Sequence, residues 1–103
     1  MHHVHGNTIA KLANGVTDTP VVMAAKSHLR NGNALVIAVA TNDALSGNLM
    51  NIGKLMNIKN VFFVPFRQDN PITKPNSLVF DANYIIPTLE KALDKEQIQP
   101  LIL

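Results

Sequence analysis

The sequence predicts an α/β fold built on a parallel β-sheet. Residues 34–40 ("ALVIAVA") and 61–65 ("VFFVP") form continuous apolar runs, which are typical of strands buried on both faces of such a sheet. Helical patterns lie before, between and after the two runs. The chain has 103 residues, of which 47% are hydrophobic and 16% charged, so it forms at most one domain with a globular interior. The predicted order of helix, helix, strand, helix, strand, helix corresponds to half of a doubly wound sheet.

Two helices are predicted before the first strand. Asn7 can cap a helix in which Ile9, Leu12 and Ala13 lie on one face, and Gly15 can end it in a left-handed conformation. Helices of this kind commonly follow a β-strand, and here that strand is expected to be missing or reduced to a few residues.

The second predicted helix starts at Thr17 or Asp18, with Pro20 in its first turn, where a missing N–H does no harm. It ends near Arg30, just before Gly32. As caps, Asn7 and Asp18 have a structural explanation that needs no ligand.

The leader "MHHVH" contains three histidines, at positions 2, 3 and 5. Neutral imidazole could bind zinc, but a tag-like start is the simpler interpretation. We therefore predict no metal site and expect residues 1–5 to be a tag-like or altered leader.

Residues 41–48 ("TNDALSGN") form a polar turn after the first strand, and a third helix follows with Leu49, Ile52, Gly53 and Met56 on one face. Met50 and Met56 are expected to fill the core rather than to clamp a substrate.

Residues 66–76 ("FRQDNPITKPN") contain two prolines and few apolar side chains, which predicts a loop. The last helix starts at Asp81 or Asn83, with Pro87 in its first turn or kinking it. The apolar tail "IQPLIL" is expected to be a short strand or a docking segment.

Composition excludes several classes of protein. A net charge of +2 with scattered Lys and Arg does not indicate nucleic-acid binding, and no cysteine is available as a nucleophile or for a disulfide. No apolar run is long enough to span a membrane and nothing resembles a signal peptide, so a cytoplasmic location is expected.

In open α/β sheets, ligands bind beyond the carboxyl ends of the strands. Residues 6–8, 40–48 and 65–77 are predicted to converge there, with mostly amide and hydroxyl groups and the charged residues Asp43, Arg67, Asp69 and Lys74. Free N–H groups at the helix starts, near Asn7 and after Ser46, would suit a small anionic ligand. The pair Asn42-Asp43 also has a structural explanation, since it favours turns. No Gly-rich dinucleotide motif, phosphate loop or His-carboxylate pair accompanies these segments.

Three segments carry a resemblance to a known family, and together they cover nearly all of residues 6–103. They are "GNTIAKLANGVTDTPVVMAAKSHLRNG", "VIAVATNDALSGNLMNIGKLMNIKNVFFVPFRQDNP" and "KPNSLV". The first resembles the Asn-Thr helix motif of the flavin-containing cysteine decarboxylase superfamily, whose members have a Rossmann-like flavoprotein fold. All three are similar to the second half of dipicolinate synthase B subunits, flavoprotein-like subunits of spore-forming bacteria.

The resemblance implies a function in sporulation. Together with the A subunit of dipicolinate synthase, the B subunit would oxidise a dihydrodipicolinate-pathway intermediate to pyridine-2,6-dicarboxylate, in the cytoplasm of the mother cell. The implied cofactor is FMN, the implied ligand is a small dicarboxylate, and a homo-oligomer is expected because superfamily members are typically oligomers.

The resemblance also implies site residues by motif. Asn7 and Thr8 match the Asn-Thr pair at the flavin, and Asn42 is the one residue kept from the "PAMN" substrate segment. The implied cofactor-binding residues are Asn7, Thr8 and Thr41, and the implied substrate-binding residues are Asn42, Asp43, Asn76 and Ser77.

The first half of the family's domain, including its flavin-phosphate loop, is not matched. Residues 6–103 are therefore expected to be an incomplete C-terminal half with a partial flavin site, inactive alone and open to sheet-edge pairing. Two alternatives stay open: a non-catalytic oligomerisation or subunit-docking module, and a flavin-dependent decarboxylase. The absence of a Met-rich clamp after Asn42 counts against the decarboxylase.

Overall fold

The computed structural model describes residues 2–4 and 32–103 of the chain. Within these ranges lie strands β1 (His2–Val4), β2 (Leu35–Thr41), β3 (Val61–Phe63), β4 (Phe66–Asn70) and β5 (Lys74–Phe80). Helix α1 (Leu49–Met56) connects β2 to β3, and a 3₁₀ turn (Ala82–Tyr84) leads into helix α2 (Ile85–Leu93). The helices predicted from Asn7 and from Thr17 or Asp18 lie outside the described residues.

The predicted α/β fold is confirmed, with a sheet that is mixed rather than wholly parallel. Strand β2 is central and pairs in parallel with β1 and with β3. Its last residues, Ala40 and Thr41, pair antiparallel with Val79 and Leu78 of β5, and β5 pairs antiparallel with β4. The parallel strands therefore match the predicted doubly wound half, and the β4–β5 hairpin extends it.

Strand β1 comes from the segment that the sequence sets apart as a leader. The backbone of His2–Val4 pairs with Ile37, Ala38 and Val39 of β2, so these three residues belong to the sheet. Three residues are too few to show the periodicity by which a strand is recognised in a sequence.

The alternation of side chains along β2 and β3 creates two cores, one on each face of the sheet. Ile37 and Phe63 pack on one face with Ile52 and Leu55 of α1. Val36, Ala38, Phe62 and Val64 pack on the other face with Ala92 of α2. Both strands are thus buried on both sides, which explains their continuous apolar sequence.

The prediction of a loop over residues 66–76 is wrong, because this segment folds into β4, a turn and the beginning of β5. The turn is set by Asn70, whose side-chain oxygen accepts hydrogen bonds from the backbone N–H groups of Ile72 (3.3 Å) and Thr73 (3.1 Å). Residues 67–70 of β4 are polar and exposed, so this strand lacks the apolar pattern by which strands are predicted from a sequence.

The two helices begin close to their predicted positions. Asp81 caps the 3₁₀ turn before α2 by accepting a hydrogen bond from the Asn83 N–H (2.9 Å), and Pro87 lies in the first turn of α2. The prediction that Met50 and Met56 fill the core is wrong, since their exposed fractions are 71% and 38%. Leu55 takes the buried position instead.

The C-terminal residues cover the outer edge of β3 and β4. Gln97 binds the backbone of Phe63 through its side-chain amide, at 2.8 and 2.7 Å. The N–H of Phe66 then donates to the carbonyl of Leu101, and the N–H of Leu103 donates to the carbonyl of Phe66, both at 3.0 Å. The tail predicted as a strand or a docking segment forms this short parallel bridge. Among the residues described, no helix has the length and apolar character needed to cross a membrane.

Candidate ligand-binding site

A cavity of about 520 Å³ opens where β2 ends beside the β4–β5 hairpin. This is the carboxyl end of a central parallel strand, where open α/β sheets bind their ligands. Its lining residues from β2 and the following turn are Ala40, Thr41, Asn42 and Asp43, and those from the hairpin are Asp69, Ser77, Leu78 and Val79.

The turn after β2 is held together by Asp43. The Thr41 hydroxyl donates to Asp43 Oδ1 at 2.6 Å, and the Asn48 side-chain amide donates to the same oxygen at 2.9 Å. The Asp43 backbone carbonyl accepts from the N–H groups of Ser46 (3.1 Å) and Asn48 (3.0 Å). These bonds fix the turn and present the Asp43 carboxylate at the cavity.

Ser77 connects the two walls of the cavity. Its side chain is almost completely buried, with an exposed fraction of 3%. Its hydroxyl donates a hydrogen bond of 3.5 Å to Asn42 Oδ1 on the β2 side, and Asp69 lines the same cavity on the hairpin side. The β4–β5 pairing therefore brings Asp69 to a site that β2 alone would not form.

Hydrogen bonds favour the ionised form of both acidic groups at the cavity. The Thr41 hydroxyl and, secondarily, the Asn48 amide lower the pKa of Asp43 below its ordinary value of 3.8. The Ser77 hydroxyl is the main cause that lowers the pKa of Asp69, and Lys74 makes the smallest contribution. The cavity wall consequently carries two negative charges at neutral pH.

The basic residues expected near an anionic ligand do not balance these charges. Arg67 forms an ion pair with Asp81 at 2.8 Å, away from the cavity lining. Lys74 lies at the start of β5 and is exposed. In the part of the chain that the structure describes, the cavity lining therefore favours polar groups that donate hydrogen bonds over anions.

The structure brings four of the predicted site residues together at this cavity, namely Thr41, Asn42, Asp43 and Ser77. Asn76 is not among the lining residues; its backbone carbonyl accepts a hydrogen bond from the Leu45 N–H at 3.0 Å, which joins the hairpin to the turn after β2. Asn7 and Thr8 lie outside the described residues.

Four residues of the lining are not predicted as site residues from the sequence. Ala40, Leu78 and Val79 carry no polar signal, and Asp69 stands out only as a charged residue of a predicted loop. The signal that could have placed them is the Asn70-Pro71 pair, which favours a tight turn between two strands. Pairing across that turn brings Asp69 near the cavity: it lies between the pairs Gln68–Leu78 and Asn70–Lys74, where the register of the hairpin shifts.

The residues that line the cavity suit a flavin ring but not a flavin phosphate. Thr41, Asn42 and Ser77 offer the hydroxyl and amide groups that hydrogen-bond a flavin ring. The flavin phosphate does not fit beside Asp43 and Asp69, since all three groups are anionic. Among residues 32–103, no three acidic, histidine or cysteine side chains cluster closely enough to hold a metal ion.

Comparisons with known proteins agree with this fold. The chain is 49% identical over 98 residues to the dipicolinate synthase B subunit of Bacillus subtilis (strain 168), covering 95% of this chain and 49% of that protein. It also superposes on the crystal structure of the dipicolinate synthase B subunit from Bacillus halodurans C with a TM-score of 0.93 and 49% identity, covering 96% of this chain and 51% of the other. No protein-family model matches the chain.

The chain thus spans about half the length of both relatives. Identity of 49% along nearly the whole chain, together with the TM-score of 0.93, confirms the resemblance predicted from the sequence. In fold and in sequence, this chain is similar to one half of the B subunit of dipicolinate synthase.

Proposed function

We propose that this chain carries part of the ligand site of the B subunit of a dipicolinate synthase and acts in the oxidation that yields dipicolinate. The supporting observation is the cavity at the carboxyl end of β2, lined by Thr41, Asn42 and Ser77, in a chain 49% identical to that protein. Its position is the one at which α/β sheets of this type bind ligands.

The proposed roles follow the walls of the cavity. Asn42 and Ser77 orient the substrate, because their polar atoms reach the same space from opposite walls. Thr41 contacts the cofactor ring, while Asp43 holds the turn that presents both Thr41 and Asn42. Asn7 and Thr8 are proposed to contact the flavin, and Asn76 to support the site through its bond to Leu45.

The oxidation removes two hydrogens from a dihydropyridine ring, that is, two electrons and two protons, and leaves an aromatic ring. FMN, when bound, would supply a two-electron acceptor for such a step. The residues of this chain bind and orient the substrate ring. The charged groups of a dicarboxylate are then held by cations outside the described wall, in the rest of the assembly with the A subunit or with further copies of the chain. The mother cell of a spore-forming bacterium is the proposed place of action.

The test is to express the chain together with the A subunit of dipicolinate synthase and to measure dipicolinate formation and bound FMN in the purified complex. We expect Asn42→Ala to lower kcat/KM by about tenfold or more, because it removes a hydrogen-bonding group at the substrate. Asn33→Ala is the matched control, since Asn33 is exposed and lies before the opposite end of β2. A complex that forms no dipicolinate, or equal losses in both variants, would contradict the proposal.

A second candidate function is a docking module without catalysis. It is favoured by an apolar cavity of about 390 Å³ beside α1, lined in part by the exposed side chains Leu45, Leu49, Met56 and Ile102. Stable binding to the A subunit without FMN and without dipicolinate formation would support this alternative.

A further inference from the structure

Asn48 is a buried polar residue whose four hydrogen-bonding groups are all used where β2 leads into α1. Its exposed fraction is 7%. Its side-chain amide donates to Asp43 Oδ1 at 2.9 Å, and its side-chain oxygen accepts from the Asn51 amide at 2.9 Å. Its backbone N–H donates to the Asp43 carbonyl at 3.0 Å, and its own carbonyl accepts from the Ile52 N–H at 3.0 Å. Asn48 therefore holds Asp43 at two points while it is itself anchored in α1.

Position 48 requires a side chain that donates on one side and accepts on the other. The ionised Asp43 carboxylate can only accept hydrogen bonds, so the NH₂ group of Asn48 has to face it. The Asn48 oxygen then faces Asn51, whose own NH₂ group supplies the donor. An aspartate at position 48 would place two carboxylates against each other, and an apolar side chain would remove both bonds. Among side chains of this size, an amide satisfies both neighbours.

The place of Asn48 directly before α1 does not explain these contacts. An asparagine at such a place commonly caps the helix, with its side-chain oxygen accepting from a backbone N–H of the first turn. The Asn48 side chain makes no such bond, and its backbone is helical, with φ of −99° and ψ of −2°. Its amide binds Asp43 instead, a residue that lines the ligand cavity.

The bond to Asp43 connects Asn48 to the wall of the cavity. Asp43 Oδ1 also accepts from the Thr41 hydroxyl at 2.6 Å, so one oxygen joins Asn48 to Thr41. Asn42 stands between Thr41 and Asp43 in the chain, and all three residues line the cavity, whereas Asn48 does not. Loss of the Asn48 amide would consequently release this wall from α1.

We infer that Asn48 is a positioning residue of the candidate site, which sets the place of Thr41 and Asn42 by binding Asp43 to α1. Asn51 supports it by fixing the direction of the Asn48 amide. This inference rests on the proposed function, because it concerns the same cavity and the substrate that Asn42 orients. Asn48 does not touch that substrate and acts through Asp43.

Isosteric exchanges of amide and carboxylate test the inference in the complex with the A subunit. Asn48→Asp puts a second carboxylate 2.9 Å from Asp43 Oδ1, where two negative charges repel. A double variant with Asn48→Asp and Asp43→Asn exchanges the two groups, so that an amide at position 43 can donate to a carboxylate at position 48. Asn57→Asp is the matched control, because the Asn57 amide also donates a bond of 2.9 Å, to the Gly53 carbonyl, at the other end of α1.

At about pH 8 we expect Asn48→Asp to lower kcat/KM for dipicolinate formation about tenfold or more, because the substrate-orienting wall is displaced. The double variant should recover severalfold of this loss, and Asn57→Asp should stay within about twofold of the wild type. The loss in Asn48→Asp should shrink toward about pH 5.5, since one carboxyl of the pair then keeps a proton and donates it to the other. Asp69 is present in every variant, so its titration affects all of them alike.

A second readout does not depend on catalysis. In ¹H–¹⁵N NMR spectra of the full chain, the backbone N–H signals of Thr41 and Asn42 should move in Asn48→Asp and return toward their wild-type positions in the double variant. Activities are compared per folded protein, measured by circular dichroism, because a residue that only stabilised the fold would leave them unchanged.

Wild-type kcat/KM in Asn48→Asp, an equal loss in Asn57→Asp, or a double variant as impaired as the single one would overturn the inference. If Asn48→Asp does not fold, the double variant decides, since its charges no longer repel. A wild-type complex that forms no dipicolinate is a failure of the proposed function, and the NMR signals of Thr41 and Asn42 then decide the inference alone.

Discussion

The side-chain amide of Gln97 binds the backbone of Phe63 as a neighbouring strand would. Gln97 Oε1 accepts from the Phe63 N–H at 2.8 Å, and Gln97 Nε2 donates to the Phe63 carbonyl at 2.7 Å. Phe63 is almost fully buried, so both backbone groups need partners from the protein. One side chain thus completes the outer edge of β3.

Replacing this amide with a carboxylate should destabilise the fold. Gln97→Glu keeps the acceptor for the Phe63 N–H but puts an anionic oxygen against the Phe63 carbonyl, and we expect a loss of about 1–3 kcal/mol in the free energy of unfolding. Gln99→Glu is the matched control, because Gln99 uses only its oxygen, as acceptor from the Leu101 N–H. Urea unfolding monitored by circular dichroism measures both, and equal losses would show that the Nε2 bond is not responsible.

Asp81 should matter more as a cap than as an ion-pair partner. Its pKa is lowered first by the Asn83 N–H and second by Arg67, whose side chain is about half exposed. Asp81→Ala should cost about 1 kcal/mol, as for other lost helix caps, whereas Asp81→Asn keeps the cap and Arg67→Ala should cost less than ~1 kcal/mol. If thermal unfolding ranks Arg67→Ala as the more damaging change, the ion pair is the dominant contact.

Asn60 occupies a left-handed conformation just before β3, with φ of 71°. Its carbonyl accepts the Leu35 N–H at 2.8 Å, so this conformation joins the start of β3 to that of β2. Alanine tolerates this region poorly, and Asn60→Ala should cost about 1–2 kcal/mol. Asn60→Gly should stay close to wild type, and a similar loss in both variants would point to the side chain instead of the backbone.

Because of the turn at Asp43, the free energy of unfolding should depend on pH. In the folded state the pKa of Asp43 lies below its ordinary value of 3.8. The ionised carboxylate therefore stabilises the fold fully at a pH above 3.8, and this stabilisation is lost as the pH falls through the lowered pKa. The wild-type chain should therefore lose more stability between about pH 6 and about pH 3 than Asp43→Asn, which cannot titrate there. Chemical unfolding at several pH values gives the comparison, and parallel curves would refute the assignment.

The buried strands and the helices on the sheet could be predicted from the sequence because each has a periodicity of its own. Residues 34–40 and 61–65 are apolar on both faces, and the observed strands Leu35–Thr41 and Val61–Phe63 fall on them. Helix α2 follows the predicted cap at Asp81. Each of these signals lies within one segment of the chain.

The hairpin could not be predicted in the same way, because its stability comes from pairing with β2 and not from its own pattern. Strand β4 buries only Phe66 and exposes the other four of its residues, so its side chains do not alternate. The candidate site could be predicted only in part, for the same reason. Thr41, Asn42 and Asp43 follow a recognisable strand, whereas Asp69 reaches the cavity through the unpredicted pairing of β4 with β5.

Phe62 and Phe63 are neighbours in the chain but belong to different cores, one on each face of the sheet. The backbone of β3 separates the two cores, so a change of side-chain volume in one core does not have to be compensated in the other. Substitutions at these adjacent positions should therefore combine with little energetic coupling, in contrast to pairs that share a core. The two compartments can be redesigned separately: the α2 side can accept new residues while the α1 side, which supports the turn at the ligand cavity, stays as it is.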